Sequence, residues 1–261
     1  MKGIILAGGT GSRLFPLTKV TNKHLLPVGK YPMIYHPIAK LAEAGIRDIM
    51  IATGKEHMGA VVGTLGSGRD VGLEFTYRVQ DQAGGIAEAL GLASGFVGDD
   101  KCVVVLGDNI FSDSITPFVK SFEEVTEGAK VLLKEVPDPQ RYGVAEVVDE
   151  RIVSIEEKPR EPKSSLCVTG IYMFDSRVFD IVRTLKPSHR GELEITDVNN
   201  AYIELGLLTF DVLDGWWTDA GTLESLAVAN RLARNVRLNL FEKSGLKVDV
   251  VTGGEVAAGR E

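Results

Sequence analysis

Cysteine is scarce in this chain. Its 261 residues include two, Cys102 and Cys167, and neither sits in a CxxC pair or a Cys/His ligand spacing. The sequence therefore offers no disulfide framework and no structural zinc site, and such usage fits a reducing cytoplasm. Long apolar runs are missing too. None nears the ~18 residues that a membrane-spanning helix needs, and the first, after Lys2, stops at Ala7, short of a signal-peptide core of ~7–15 residues. Secretion and membrane insertion are not expected. Compositional bias is also lacking: 44% hydrophobic and 25% charged residues are ordinary for a globular chain and exclude disorder, collagen and coiled coil. The most informative absence is local. No Asp or Glu precedes Glu43, while Lys2, Arg13, Lys19, Lys23, Lys30 and Lys40 all do, in a chain whose net formal charge is −7. An acidic chain is a poor general binder of a nucleic acid polymer. Its acid-free opening is either a chance solvated face or a place for a small polyanion such as a nucleotide phosphate.

The length permits one large domain or two small ones, and no repeat or low-complexity linker divides it. Apolar runs and breakers predict strands at Lys2–Leu6, Arg47–Thr53, Leu73–Val79 and Cys102–Leu106. Between them fall helices near Met33–Ala44, interrupted at Pro37 and ended by Gly45, then His57–Leu65 and Ile86–Ser94. This alternation predicts an α/β fold, with a Rossmann-like, mostly parallel sheet flanked by helices. Beyond Asp108 it loosens. Ala129–Val136, Gly143–Val148, Ile152–Ile155 and Val168–Phe174 read as strands with little helix between them. Helices return at Arg177–Thr184, Ile195–Leu205 and Leu223–Ala233, with a strand at Leu208–Val212. The tail after Glu242 is expected to fray.

The first strand runs into Ala7-Gly8-Gly9-Thr10-Gly11-Ser12-Arg13. Glycines after a buried strand let backbone N–H groups approach a phosphate; they also make a tight strand-to-helix turn, and both readings stand. A dinucleotide fingerprint needs a glycine where Leu14 stands and an acid about 20 residues on, so it fails twice. A Walker loop needs Gly-Lys-Ser/Thr, and Gly11 is followed by Ser12-Arg13. Arg13 and Lys23 remain as candidate phosphate clamps or as solvated surface cations.

Several further blocks follow in order. They are Lys23-His24-Leu25-Leu26-Pro27-Val28, Val79-Gln80 with Gly84-Gly85-Ile86-Ala87, Leu106-Gly107-Asp108-Asn109, Arg141-Tyr142-Gly143-Val144, Glu156-Glu157-Lys158-Pro159, Val168-Thr169-Gly170, Arg190–Asp197 and Trp217–Thr222. Together with the glycine run they resemble the signature of the sugar-1-phosphate nucleotidyltransferases, and most nearly the short bacterial glucose-1-phosphate thymidylyltransferase group, over about residues 1–240. The resemblance implies a glycosyltransferase-A-like fold with added sugar-side strands. It also implies a single domain over 1–240, with 1–110 mainly nucleotide-binding, 111–240 mainly sugar-binding and oligomer contacts, and 241–261 a tail. The implied substrates are dTTP and glucose 1-phosphate, the implied cofactor is Mg²⁺, and the implied assembly is a cytoplasmic homo-oligomer, most often a tetramer. Leu6, Gly8, Gly9, Thr10, Gly11, Ser12, Arg13, Gln80, Gly85 and Asp108 are then expected at the nucleotide. Asn109, Tyr142, Gly143, Glu157, Lys158, Val168 and Trp217 are expected at the sugar phosphate, with Arg190 behind Lys158. Asp108 and Asp219 would hold the metal, and Arg13, Lys23, Asp108, Lys158 and Asp219 would carry the chemistry.

A phosphate monoester is largely ionised at pH 7, its second pKa being about 6, so such a reaction needs no general base. His24, His36, His57 and His189 are accordingly expected to be structural. His24 departs from the glutamine common at its place in longer members, and His36 from a frequent tyrosine. The chain also stops before the C-terminal extension of the long forms, so a regulatory site that needs that extension is not expected. Two other readings compete: the same chemistry with UTP, and a sugar-nucleotide sensor without turnover, which would have no need of the metal carboxylates.

Overall fold

The computed structural model describes residues 1–242; the rest of the tail lies outside the described residues. In chain order the strands are β1 Lys2–Ala7, β2 Pro27–Val28, β3 Tyr31–Pro32, β4 Asp48–Gly54, β5 Glu74–Gln80, β6 Cys102–Leu106, β7 Asn109–Phe111, β8 Ala129–Glu135, β9 Gly143–Val148, β10 Arg151–Glu157, β11 Leu166–Phe174, β12 Leu208–Val212 and β13 Trp217–Asp219. The helices are α1 Tyr35–Glu43, α2 Met58–Leu65, α3 Ile86–Gly91, α4 Ser94–Val97, α5 Thr116–Glu123, α6 Val178–Thr184, α7 Ile195–Glu204, α8 Leu223–Leu232 and α9 Asn239–Glu242.

One mixed nine-stranded sheet runs β10-β9-β11-β6-β1-β4-β5, with β8 branching from β11 and β12 pairing on to β8. In its first half β6, β1, β4 and β5 are parallel, each joined to the next through helical crossings. In the second half β11 lies antiparallel to β6 and to β8. β9 and β10, also antiparallel, are joined directly by a tight turn, as antiparallel neighbours can be. Between β9 and β10 the turn residues Asp149 and Glu150 have φ of 49° and 59°, the left-handed pair that a two-residue hairpin loop of right-handed twist demands.

Alternation along the central strands divides the core between the two faces of the sheet. Ile4, Leu6, Met50, Ala52, Cys102 and Val104 pack on one face with residues of α3, α6 and α7. Ile5, Ala7, Ile49, Ile51, Val103 and Val105 pack on the other with α1 and α5. Both cysteines are buried and free, and burial pushes each thiol up to about 12.

Two expectations need correction. Pro37 does not interrupt α1: it lies in the first turn, where the N–H it lacks has no intrahelical partner to lose. The helix expected over Ile86–Ser94 is two pieces, parted at Leu92 and Ala93. The stretch between Asp108 and β8, to which the sequence assigned no element, also forms a helix. It holds α5, which starts with Pro117 in its first turn and buries Val119 and Phe122.

Candidate active site

The cleft lies over the carboxyl ends of β1, β5 and β6, where open α/β sheets place their ligands. It encloses about 700 Å³. Gly107 N–H donates to Leu6 O at 2.9 Å, tying the ends of β6 and β1 together, and a Cβ on Gly107 would press against the His24 ring at 2.7 Å.

Two distant aspartates meet across this floor. β7 and β13 pair antiparallel with Asn109 opposite Asp219, and Ala220 N–H donates to Asp108 O at 2.8 Å. The side chains then converge on buried Gly221. A Cβ there would stand 3.1 Å from Asp219 Oδ2, 3.7 Å from Asp108 Oδ2 and 3.2 Å from Arg13 Nη2. Lys23 Nζ closes on Asp108 Oδ2 at 2.5 Å. Asn109 Nδ2 donates to Asp108 Oδ1 at 3.2 Å, while Asn109 Oδ1 accepts from Gly170 N–H and Trp217 Nε1 at 2.9 and 2.7 Å.

The two carboxyls titrate in opposite directions. Burial works to raise Asp108, but the Lys23 ammonium and the hydrogen bonds from Lys23 and Asn109 together outweigh it and hold the group well below the usual carboxylate range. Asp219 is pushed up, first by burial and then by the neighbouring Asp108 charge. Lys23 thus serves Asp108, while Arg141 Nη2 stands 3.5 Å from Asp219 Oδ1. His24 beneath it stays neutral, lowered to about 3 by burial and then by Lys23. Asn22 Oδ1 accepts from both His24 N–H and His24 Nδ1, at 2.8 and 2.7 Å; because a backbone N–H fixes that atom as oxygen, Nδ1 carries the proton.

On one side of the floor Gln80 is committed. Its Nε2 donates to Gly85 O at 3.2 Å and to Glu88 Oε2 at 2.6 Å, and a Cβ on Gly8 would collide with its free Oε1. Gly85 adopts φ +106°, with Leu193 O where a Cβ would go. On the other side Glu157 is the hub. It accepts from Thr196 Oγ1 at 2.9 Å and pairs with Lys158 at 3.1 Å and Arg190 at 3.5 Å. Arg190 is drawn further toward Glu194, at 2.8 Å, and Glu192, at 3.5 Å. Tyr142 and Trp217 stand edge to face with centroids 5.3 Å apart.

Among the expected site residues, Leu6, Gly8, Gly9, Arg13, Lys23, Gln80, Gly85, Asp108, Asn109, Tyr142, Gly143, Glu157, Lys158, Val168, Trp217 and Asp219 all line the cleft, and Arg190 with them. Thr10, Gly11 and Ser12 do not. Gly11 is spent on the fold of the loop, with φ +63° and its carbonyl accepting from Thr18 Oγ1 at 2.8 Å. Sequence reasoning assigned no role to Arg141, Tyr172, Glu192, Glu194 and Ile195, which also line the cleft. Four of the five fall within motif blocks, and that was their only signal.

A family model described as Nucleotidyl transferase matches residues 2–235. Glucose-1-phosphate thymidylyltransferase of Neisseria meningitidis is 46% identical over 241 residues, covering 91% of this chain and 84% of that protein. Its namesake from Mycolicibacterium smegmatis is 42% identical over 252 residues, covering 95% and 86%. Among solved structures, a Bacillus anthracis protein provisionally named a glucose-1-phosphate thymidylyltransferase, crystallised with sucrose, is 65% identical. It superposes with a TM-score of 0.88 over 91% of this chain and 96% of its own. UDP-glucose pyrophosphorylase complexed with UDP-glucose is 25% identical, with a TM-score of 0.80 over 90% and 99%. By the family model over residues 2–235 and by relatives this similar over most of their length, this chain belongs to the nucleotidyl transferase family.

Proposed function

We propose that the protein is a Mg²⁺-dependent glucose-1-phosphate thymidylyltransferase, converting dTTP and glucose 1-phosphate to dTDP-glucose and pyrophosphate. The observation that carries this reading is the convergence of Arg13, Asp108 and Asp219 around Gly221, midway between the Gln80 side and the Glu157 side of one cleft.

The sugar phosphate oxygen attacks the α-phosphorus in line, one P–O bond forming as the bond to the pyrophosphate oxygen breaks. The nucleophile arrives ionised, so His24, held neutral beneath the floor, is not needed as a base. Arg13 and Lys23 draw the triphosphate and Lys158 the sugar phosphate, which brings two mutually repelling anions into register. Two buried carboxylate oxygens facing a gap that a single Cβ would fill are a hard-donor set suited to Mg²⁺. Among the described residues no group of three ligating side chains surrounds it, so phosphate oxygens would complete the shell. When held there by Asp108 and Asp219, the ion supplies positive charge for the phosphates.

Gln80 has both amide hydrogens engaged, leaving Oε1 to accept from the N3–H that thymine and uracil share. Discrimination between dTTP and UTP thus does not come from this contact. Glu157 and Asn109 offer acceptors for sugar hydroxyls, with Tyr142, Trp217, Gly143 and Val168 as walls. By family resemblance the working unit is a homo-oligomer, a tetramer. Incubation with dTTP, glucose 1-phosphate and Mg²⁺ is expected to release pyrophosphate and form dTDP-glucose. Absence of pyrophosphate with every sugar phosphate tried, under dTTP or UTP, rejects the reading, and a higher kcat/KM with UTP replaces it by a uridylyltransferase.

A further inference from the structure

Asp219 is held on one side only. Its Oδ1 accepts from the Tyr142 hydroxyl at 3.0 Å and from Arg141 Nη2 at 3.5 Å, whereas Oδ2 faces the gap at Gly221 that Asp108 Oδ2 also borders. The terminal torsion of an aspartate is soft and roughly two-fold, so an unrestrained carboxylate can offer either oxygen or both. Donors fixed on Oδ1 remove that freedom.

Tyr142 is itself fixed. Its ring edge meets Trp217, the Arg141 guanidinium lies 5.2 Å from its centroid, and its carbonyl accepts from Lys158 N–H at 2.9 Å. That last contact matters because Lys158 has φ +48° and precedes buried Pro159. A non-glycine residue in this region costs of order 1–3 kcal/mol and persists only where its surroundings impose it. One residue therefore grips, by two different atoms, the carboxylate on the floor and the backbone of the lysine on the sugar side.

We propose that Tyr142 is a positioning residue: its hydroxyl, with Arg141, turns Asp219 so that Oδ2 alone is presented to a divalent cation shared with Asp108, while its carbonyl sets the Lys158 backbone. This goes beyond the wall role expected of Tyr142, and it rests on the reading above in taking the aspartate pair as the cation's holder.

The test is Tyr142→Phe, which keeps the ring, the Trp217 contact and the carbonyl. Mn²⁺ titrated into the protein without substrates, followed by the EPR signal of the free ion, reads the site without turnover. The Mn²⁺ dissociation constant and the Mg²⁺ concentration for half-maximal activity should both rise about 10-fold or more, as for other outer-sphere partners of metal ligands. The KM for glucose 1-phosphate should stay within about twofold. Arg141→Leu should move the same readings in the same direction by less, and it carries the test if the phenylalanine variant does not fold. Unchanged Mn²⁺ and Mg²⁺ requirements overturn the proposal. So does a raised glucose 1-phosphate KM with normal Mn²⁺ binding, which would give the hydroxyl to the sugar. If the unaltered protein releases no pyrophosphate, the functional reading fails while the Mn²⁺ titration still decides the role of Tyr142.

Discussion

Gly221 owes its identity to space. The approach of Arg13, Asp108 and Asp219 to the point where its Cβ would stand means that even one methyl group intrudes on the charged atoms of the floor. Gly221→Ala is expected to leave the fold intact, since the space beyond is an open cleft, and to shift the carboxylates by a few tenths of an ångström. A misplacement of about 1 Å can cost about 10²-fold in rate, and a shift of a few tenths costs correspondingly less. Steady-state pyrophosphate release at saturating dTTP and Mg²⁺ should fall by about 2- to 10-fold, with a thermal midpoint within a few degrees of the parent. Full activity would mean that the pair tolerates displacement and is not the rate-determining floor. Such a glycine was invisible as a functional residue in the sequence, where Trp217–Thr222 marked a block but nothing said which member supplied room.

At the scale of elements, what the sequence made legible was whatever formed a long apolar run. β1, β4, β6 and β11 are buried nearly throughout, so an uninterrupted hydrophobic stretch was enough to find them. β7 and β13 are three residues each, too short to show a period of two, and they exist only because each pairs with the other. α5 was not legible because Val119 and Phe122 are its only buried residues, one pair at helical spacing and too little to show a period. The β7–β13 pair is locked to the main sheet through Gly170, whose N–H holds Asn109 Oδ1. A Cβ there would lie 2.6 Å from both Asn109 Nδ2 and Leu106 Cγ. Gly170→Ala should therefore destabilise the protein by about 1–3 kcal/mol, the usual cost of overpacking, read as a lower urea midpoint at unchanged m. A midpoint equal to the parent's would show that Asn109 can swing away, and that the aspartate it steadies is not rigidly placed.

Across the whole molecule, acidic charge is segregated: the acid-free opening supplies Arg13 and Lys23 to the cleft, and the second half supplies Glu157, Glu192 and Glu194 together with Arg141, Lys158 and Arg190. The first part of that division was plain from composition. The second was not, because Glu-Glu-Lys-Pro read alone is an ordinary charged turn. Segregation leaves two histidines buried in the basic half, and both are lowered, His24 to about 3 and His36 by burial and then by Lys40 against the Val28 carbonyl. A histidine kept neutral in the fold but free to protonate when unfolded contributes stability that is full above its unfolded pKa of about 6.5. That contribution is lost as pH falls from there toward the folded value, because the unfolded state then binds the extra proton. Each pH unit below 6.5 can cost up to about 1.4 kcal/mol per such histidine. Asp108, held low by Lys23, adds its own loss only under the ordinary carboxylate range, whereas Asp197 and Asp219, both raised mainly by burial, work in the opposite direction. Thermal midpoints measured from pH 7.5 to 5 are thus expected to fall, and His24→Gln, which cannot titrate, should fall less steeply over the same interval. Parallel slopes for parent and variant would mean that His24 takes up its proton without unfolding, and that the floor beneath Lys23 and Asp108 is open to water.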